Sequence, residues 1–114
     1  MDEIEKVISE IIDKLKRQYK PLKIILFGSY AYGEPSKDSD IDLLILKNTT
    51  KRQADRFVEV KRILYNPELK VPVSPLVYTP EELEERLKIG DDFVKEILRK
   101  GIVVYERAGS QRVI

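Results

Sequence analysis

Residues 23–47, KIILFGSYAYGEPSKDSDIDLLILK, constrain the fold more than any other part of this chain. Two apolar, β-rich runs at 24–27 and 41–46 flank a turn that carries Gly28, Ser29 and Gly33, the pattern of two strands joined by a polar connection. The second run opens with Asp40 and Asp42. An ionised carboxylate buried without a partner costs several kcal/mol. Two of them, two residues apart in a greasy segment, call for a cation, a cage of hydrogen bonds or an exposed sheet end.

The rest of the chain is read as support for this segment. At 114 residues it has the length of one small domain with a single core. Twenty-one basic and 20 acidic residues leave a net charge of +1, so no global field draws the protein to nucleic acid or membrane. No basic stripe with interleaved aromatics is present, and nucleic acid is not expected as a direct partner. The sequence contains neither cysteine nor histidine, which removes disulfides, thiolate nucleophiles, imidazole bases and the usual zinc ligands. Any metal must therefore be a hard cation held by oxygen. No apolar run approaches a membrane span and the N-terminal residues lack a signal-like apolar core, so no membrane association is expected and a cytoplasmic location is.

Along 2–19, Ile4, Val7, Ile8, Ile11, Ile12, Leu15 and Tyr19 recur at steps of three and four, predicting an amphipathic helix that Pro21 ends. Strands follow at 23–27 and roughly 40–46, with a polar loop at 34–39. A helix is expected over about 51–64, capped by the Asn48-Thr49-Thr50 turn, with Ala54, Phe57, Val58, Lys61 and Leu64 along one side. Residues 71–78 read as a third strand. Pro72 and Pro75 cannot donate to a ladder, so that strand is expected to be irregular or at an edge. Thr79-Pro80-Glu81-Glu82 is a helix start with cap, first-turn proline and dipole-matched acids. Gly90 interrupts that helix, Asp91 starts another, Gly101 ends it, and 102–105 reads as a last strand. The fold class is α/β or α+β: a small mixed β-sheet covered by helices, one domain over 1–107 and a flexible tail at 108–114.

Alternation in a strand puts Asp40 and Asp42 on one face with Cα atoms about 6.5 Å apart, so their carboxylates can converge on one metal. Magnesium binds through one or two protein carboxylates and completes its shell with water and substrate phosphates. Gly28 lets backbone approach a ligand closely, Ser29 offers a hydroxyl and an amide, and a short helix starting at Ser29 favours an anion. A phosphate cradle and a pair of metal ligands would then lie side by side.

Gly28-Ser29, ten residues, then Asp40-Ile41-Asp42, with Gly33 and Ser39 between, resembles the signature of the DNA polymerase β-like nucleotidyltransferases. The short chain is similar in size to their minimal nucleotidyltransferase group, and the order of elements matches over nearly the whole length. The resemblance implies the nucleotidyltransferase fold, Gly28 and Ser29 on the triphosphate of a nucleotide such as ATP, and Mg2+ on Asp40 and Asp42. The implied reaction is attack of an acceptor hydroxyl on the α-phosphate with loss of pyrophosphate. It further implies that AMP is the transferred group, that a partner protein is a possible acceptor, and that an HEPN-domain toxin is a candidate partner, with this chain as its antitoxin. Active members usually add a third carboxylate on the next core strand. Here the expected position is Ser74, within VPVSPLVYTPEE, which cannot replace a carboxylate. That departure opens the alternative of a nucleotide-binding and partner-binding module with weakened or lost catalysis.

Several residues keep two readings at this level. Ser39 is a turn hydroxyl or shapes the nucleotide site. Lys37 either pairs with phosphates or is a solvated loop lysine, and Tyr30 and Tyr32 either stack on a base or pack on the first helix.

Overall fold

The computed structural model describes residues 3–108. The chain runs α1 (Glu3–Gln18), β1 (Lys23–Phe27), α2 (Ser29–Tyr32), β2 (Ile41–Leu46), α3 (Gln53–Leu64), β3 (Val73–Tyr78), α4 (Pro80–Lys88), α5 (Asp92–Lys100) and β4 (Ile102–Glu106). The four strands form one mixed sheet in the order β3-β2-β1-β4. β1 is antiparallel to β2 and to β4, and β2 is parallel to β3.

The continuous apolar character of β1 and β2 follows from their place at the centre of the sheet, where both faces are covered. On one face Ile24, Leu26, Ile41, Leu43 and Ile45 pack against Ile11, Leu15 and Tyr19 of the α1 segment and Val60 and Leu64 of α3. On the other, Ile25, Phe27, Leu44 and Leu46 meet Leu83 of α4 and Val94 and Ile97 of α5. Stripping one such aliphatic side chain from water contributes about 1.5–3 kcal/mol, and these two interior strands supply the largest share of them.

Helix α4 begins as the sequence specifies. Thr79 Oγ1 accepts from the Glu82 amide at 3.1 Å, and Glu82 Oε1 accepts from the Thr79 amide at 2.8 Å, a complete capping box. The break at Gly90, with φ of +78°, separates α4 from α5, and Asp91 caps α5 by accepting from the Val94 amide at 3.2 Å. The last strand, expected over 102–105, runs one residue further to Glu106, and of the proposed 108–114 tail residues 109–114 lie outside the described residues.

Of two expectations, one is met by its edge alternative and one needs correction. The third strand is regular, in unbroken parallel register with β2 from Ile41↔Val73 to Leu46↔Tyr78. As an edge strand it has no second neighbour to require an amide from Pro75, so proline is tolerated. Helix α3 starts at Gln53 rather than 51, after Arg52 in extended conformation with no side-chain cap. Its buried side is Arg56, Val60 and Leu64, while Phe57 and Val58 are exposed. The reversal has a polar cause. Arg56 is only 4% exposed and forms a bidentate pair with Glu82 at 2.6 and 3.1 Å, and it also donates to the Lys51 carbonyl at 2.7 Å and the Val77 carbonyl at 3.2 Å. A guanidinium satisfied this fully holds α3 to β3 and α4 in one rotation, and the apolar Phe57 turns outward.

Candidate active site

The site stands at the end of the sheet where β1 finishes and β2 begins. β1 ends at Phe27, paired with Asp42, so the turn that follows β1 emerges beside the first residues of β2. Gly28 has φ of +76° and ψ of −163°, a backbone state that residues with a Cβ avoid. Space imposes the same choice. A Cβ on Gly28 would lie 2.3 Å from Asp42 Oδ2, so the glycine backbone and the Asp42 carboxylate are in direct apposition. The spacing in the sequence thus brings turn and acid together.

After Gly28 the chain makes the single turn of α2, in which the Ala31 and Tyr32 amides donate to the Gly28 carbonyl at 3.0 and 3.1 Å. The first amides of a helix have no intrahelical acceptor, and those of Ser29 and Tyr30 hold that position here. Gly33 closes the turn in the left-handed region. Tyr30 is half-buried against the core shared with α1, whereas Tyr32 is exposed, with Lys100 Nζ 5.7 Å from its ring centroid. Packing therefore accounts for Tyr30, and a cation–π contact engages Tyr32.

In the loop that leads to β2, Ser39 Oγ accepts from the Ser36 amide at 2.8 Å and lies 3.3 Å from Ser36 Oγ. Its hydroxyl closes the loop on itself, the turn reading of the two given above. Lys37 is exposed at the tip of the same loop.

Asp40 and Asp42 are both half-buried. Asp42 faces the α5 side of the sheet with its partner Phe27. Burial, and secondarily the negative charge of Asp40, push the Asp42 carboxyl above its ordinary pKa. Two carboxylates that repel one another next to a glycine turn make an all-oxygen donor set. A hard divalent cation fits that set, since hard cations take oxygen ligands and neutralise the repulsion. Among the described residues no cluster of three or more acids or other metal-ligating side chains occurs, so two carboxylates are the most that this site provides.

Ser74 lies where the sequence places it. It is the register partner of Asp42 across the parallel β2–β3 pair, and its Oγ donates to Asp40 Oδ2 at 2.8 Å. The hydrogen bond is beyond sequence reasoning, because the register between β2 and β3 is set only once the α3 crossover has folded. A wider groove of about 890 Å3 lies between α1 and β4, lined by Ile4, Ile8, Ile12, Val104 and Tyr105. Neither Asp40 nor Asp42 lines it, and the polar chemistry converges on the other face.

The nucleotidyltransferase domain family matches residues 8–104. A Methanocaldococcus jannaschii protein named "putative protein adenylyltransferase" is 36% identical over 103 residues, covering 89% of this chain and 97% of that protein. A second protein of that organism with the same description is 32% identical and covers 94% of this chain and 76% of its own length. The protein adenylyltransferase MntA of Thermococcus cleftensis is 26% identical over 91% of this chain and 95% of its own. A crystal structure of a "putative nucleotidyltransferase" from Sulfolobus solfataricus superposes with a TM-score of 0.60 at 20% identity, over 96% of this chain and 86% of that one. The last match concerns the fold alone.

Proposed function

The chain belongs to the nucleotidyltransferase domain family, and from that premise we propose that it transfers AMP from ATP to a hydroxyl group on a partner protein. The observation that carries this reading is the apposition of the Gly28 backbone to Asp42, with Asp40 alongside. A triphosphate on the Gly28-Ser29 turn meets the two carboxylates without either element moving.

The acceptor hydroxyl oxygen forms a bond to the α-phosphorus and gives up its proton to solvent, the bond to the bridging oxygen breaks, and pyrophosphate leaves with that oxygen. Gly28 allows the backbone to approach the phosphates, and the Ser29 hydroxyl and first-turn amides hydrogen-bond their oxygens. Lys37, on the loop beside the turn, pairs with the outer phosphates. Asp40 and Asp42 would hold Mg2+, which supplies charge neutralisation at the phosphates and the leaving group. The protein's own contribution is placement of groups and exclusion of alternatives, which suffices for phosphoryl chemistry of this kind. Because the relatives are named for transfer to protein, the acceptor in this reading is a protein hydroxyl. An HEPN-domain toxin is the partner class that the family resemblance suggests.

One observation favours a second reading, a nucleotide-binding module that acts on its partner by docking. The strand position facing Asp42 is Ser74, a neutral residue already engaged with Asp40. With two carboxylates, triphosphate binding through one cation is preserved while activation of the acceptor is weakened.

The nucleotide site itself is tested by melting. ATP with Mg2+ at a hundredfold excess over its dissociation constant adds about 2.7 kcal/mol to stability, and Asp40→Ala combined with Asp42→Ala abolishes the resulting rise in Tm. Equal rises in both proteins would sink the reading. Transfer of label from α-labelled ATP to a purified partner protein distinguishes the enzyme from the module.

A further inference from the structure

Asp40 and Asp42 are held in different ways. Asp42 sits inside β2, fixed by pairing to Phe27 on one side and Ser74 on the other, with the Gly28 backbone against its carboxylate. Asp40 precedes the strand, at the end of the exposed 34–39 loop, and has no ladder partner. A carboxylate at such a junction is free to rotate about its side-chain bonds and is pushed away from Asp42 by like charge. Two contacts from the β3 segment oppose this. The Ile41 amide donates to the Pro72 carbonyl at 2.8 Å, which anchors the backbone, and Ser74 Oγ donates to Asp40 Oδ2 at 2.8 Å, which orients the side chain.

We propose that Ser74 is a positioning residue whose hydroxyl holds the Asp40 carboxylate beside Asp42 in the arrangement that takes a divalent cation together with the nucleotide. The inference rests on the nucleotide-site reading above and assigns the serine a use of its own. A carboxylate oxygen has two lone pairs, so the bond from Ser74 leaves Oδ1 and one lone pair of Oδ2 open to a cation. The hydroxyl adds no negative charge. It offsets part of the repulsion between the two acids, where a third carboxylate at that strand position would increase it. The site is therefore preset for one cation before any ligand arrives, and losing the hydroxyl removes the presetting without removing a ligand.

The closest test pairs two β-branched substitutions of nearly equal shape. Ser74→Thr keeps a hydroxyl and Ser74→Val does not, and both suit a strand. Binding of a non-hydrolysable ATP analogue is measured by calorimetry with Mg2+ and again in its absence with chelator, alongside the Tm of each ligand-free protein. The expected result is a loss of about tenfold in Mg2+-dependent affinity for Ser74→Val, as follows from removing a hydrogen bond to a charged group. Ser74→Thr is expected to stay within about twofold of wild type, and Mg2+-independent binding to be alike in all three. A purely structural serine would lower the Tm of the valine variant and leave the Mg2+-dependent step unmoved, and that result overturns the inference. Equal Mg2+-dependent affinity for Thr and Val overturns it as well while the nucleotide site stands. Wild-type protein that binds no analogue with Mg2+ overturns both.

Discussion

Alanine at Gly28 tests the site at the point where two constraints meet. A φ of +76° with ψ of −163° is a backbone state essentially reserved for glycine and costs a residue with a Cβ about 1–3 kcal/mol. The new methyl group would also fall 2.3 Å from Asp42 Oδ2, well inside any real carbon–oxygen contact. The strand pairing of Asp42 with Phe27 and Ser74 fixes its backbone, so the side chain must turn away, at roughly 0.5–1.5 kcal/mol for leaving its rotamer. The total is about 2–4 kcal/mol, a fall in Tm of roughly 10–20 °C for a domain of this size. Gly33→Ala is the uncrowded control: its φ of +81° with ψ of 15° is the ordinary left-handed region, and among the described residues a Cβ there would meet nothing within 4 Å. It carries the backbone cost of about 1–2 kcal/mol alone. Calorimetric melting of both variants, with and without ATP and Mg2+, separates strain from crowding. Gly28→Ala is expected to lose the ligand-induced rise in Tm and Gly33→Ala to keep it. Equal destabilisation with the ligand effect intact in both would show that Gly28 does not crowd Asp42, and would refute the cradle argument.

Two further outcomes concern charge. Hydrogen bonding from Arg56 holds the Glu82 carboxyl below its ordinary 4.5, against the opposing effect of burial, so its contribution to stability is present above that pH and is lost as pH falls toward the lower folded value. Acid titration of Tm should therefore fall less steeply in Glu82→Gln than in wild type. Burial raises the Tyr19 hydroxyl to about 12, so stability is whole below pH 10 and declines as pH rises through the folded value. Ultraviolet difference absorbance should show one of the six tyrosines ionising near pH 12. Tyr19→Phe should remove that step and leave the protein as stable or up to about 1 kcal/mol more so, because Tyr19 Oη is buried with no hydrogen-bond partner among the described residues.

Much of this was legible in the sequence because local rules and global position agree. The Thr79-Pro80-Glu81-Glu82 cap, the breaks at Gly90 and Gly101, and the doubly apolar β1 and β2 each announce themselves through residues near in sequence. The juxtaposition of Gly28 and Asp42 was legible for the same reason, since Gly28 directly follows β1 and Asp42 lies in β2, adjacent strands joined by one connection. What the sequence hid depends on distant partners. The outward turn of Phe57 follows from a pair between Arg56 and Glu82, and hydrophobic periodicity has no term for a buried guanidinium. Pro72 and Pro75 left an irregular and an edge strand both open, and only the finished sheet order decides for the edge. Ser74 could be located but not given a partner, since its bond to Asp40 needs the parallel register.

The strand order β3-β2-β1-β4 also sets a sequence of events. Pairing β1 with β2 closes the shortest loop of the sheet, parallel pairing with β3 awaits the α3 crossover, and β4 returns from the far end of the chain to the outer edge of β1. Loop-closure entropy favours forming them in that order and opening them in reverse. Nascent chain therefore sets Gly28 against Asp42 first and Ser74 against Asp40 next. Because β4 is a largely exposed edge strand and β2 a buried central one, native-state hydrogen exchange is expected to find the β4 amides opening at lower free energy than those of β2, the last strand fraying and reclosing while the two acids keep their places.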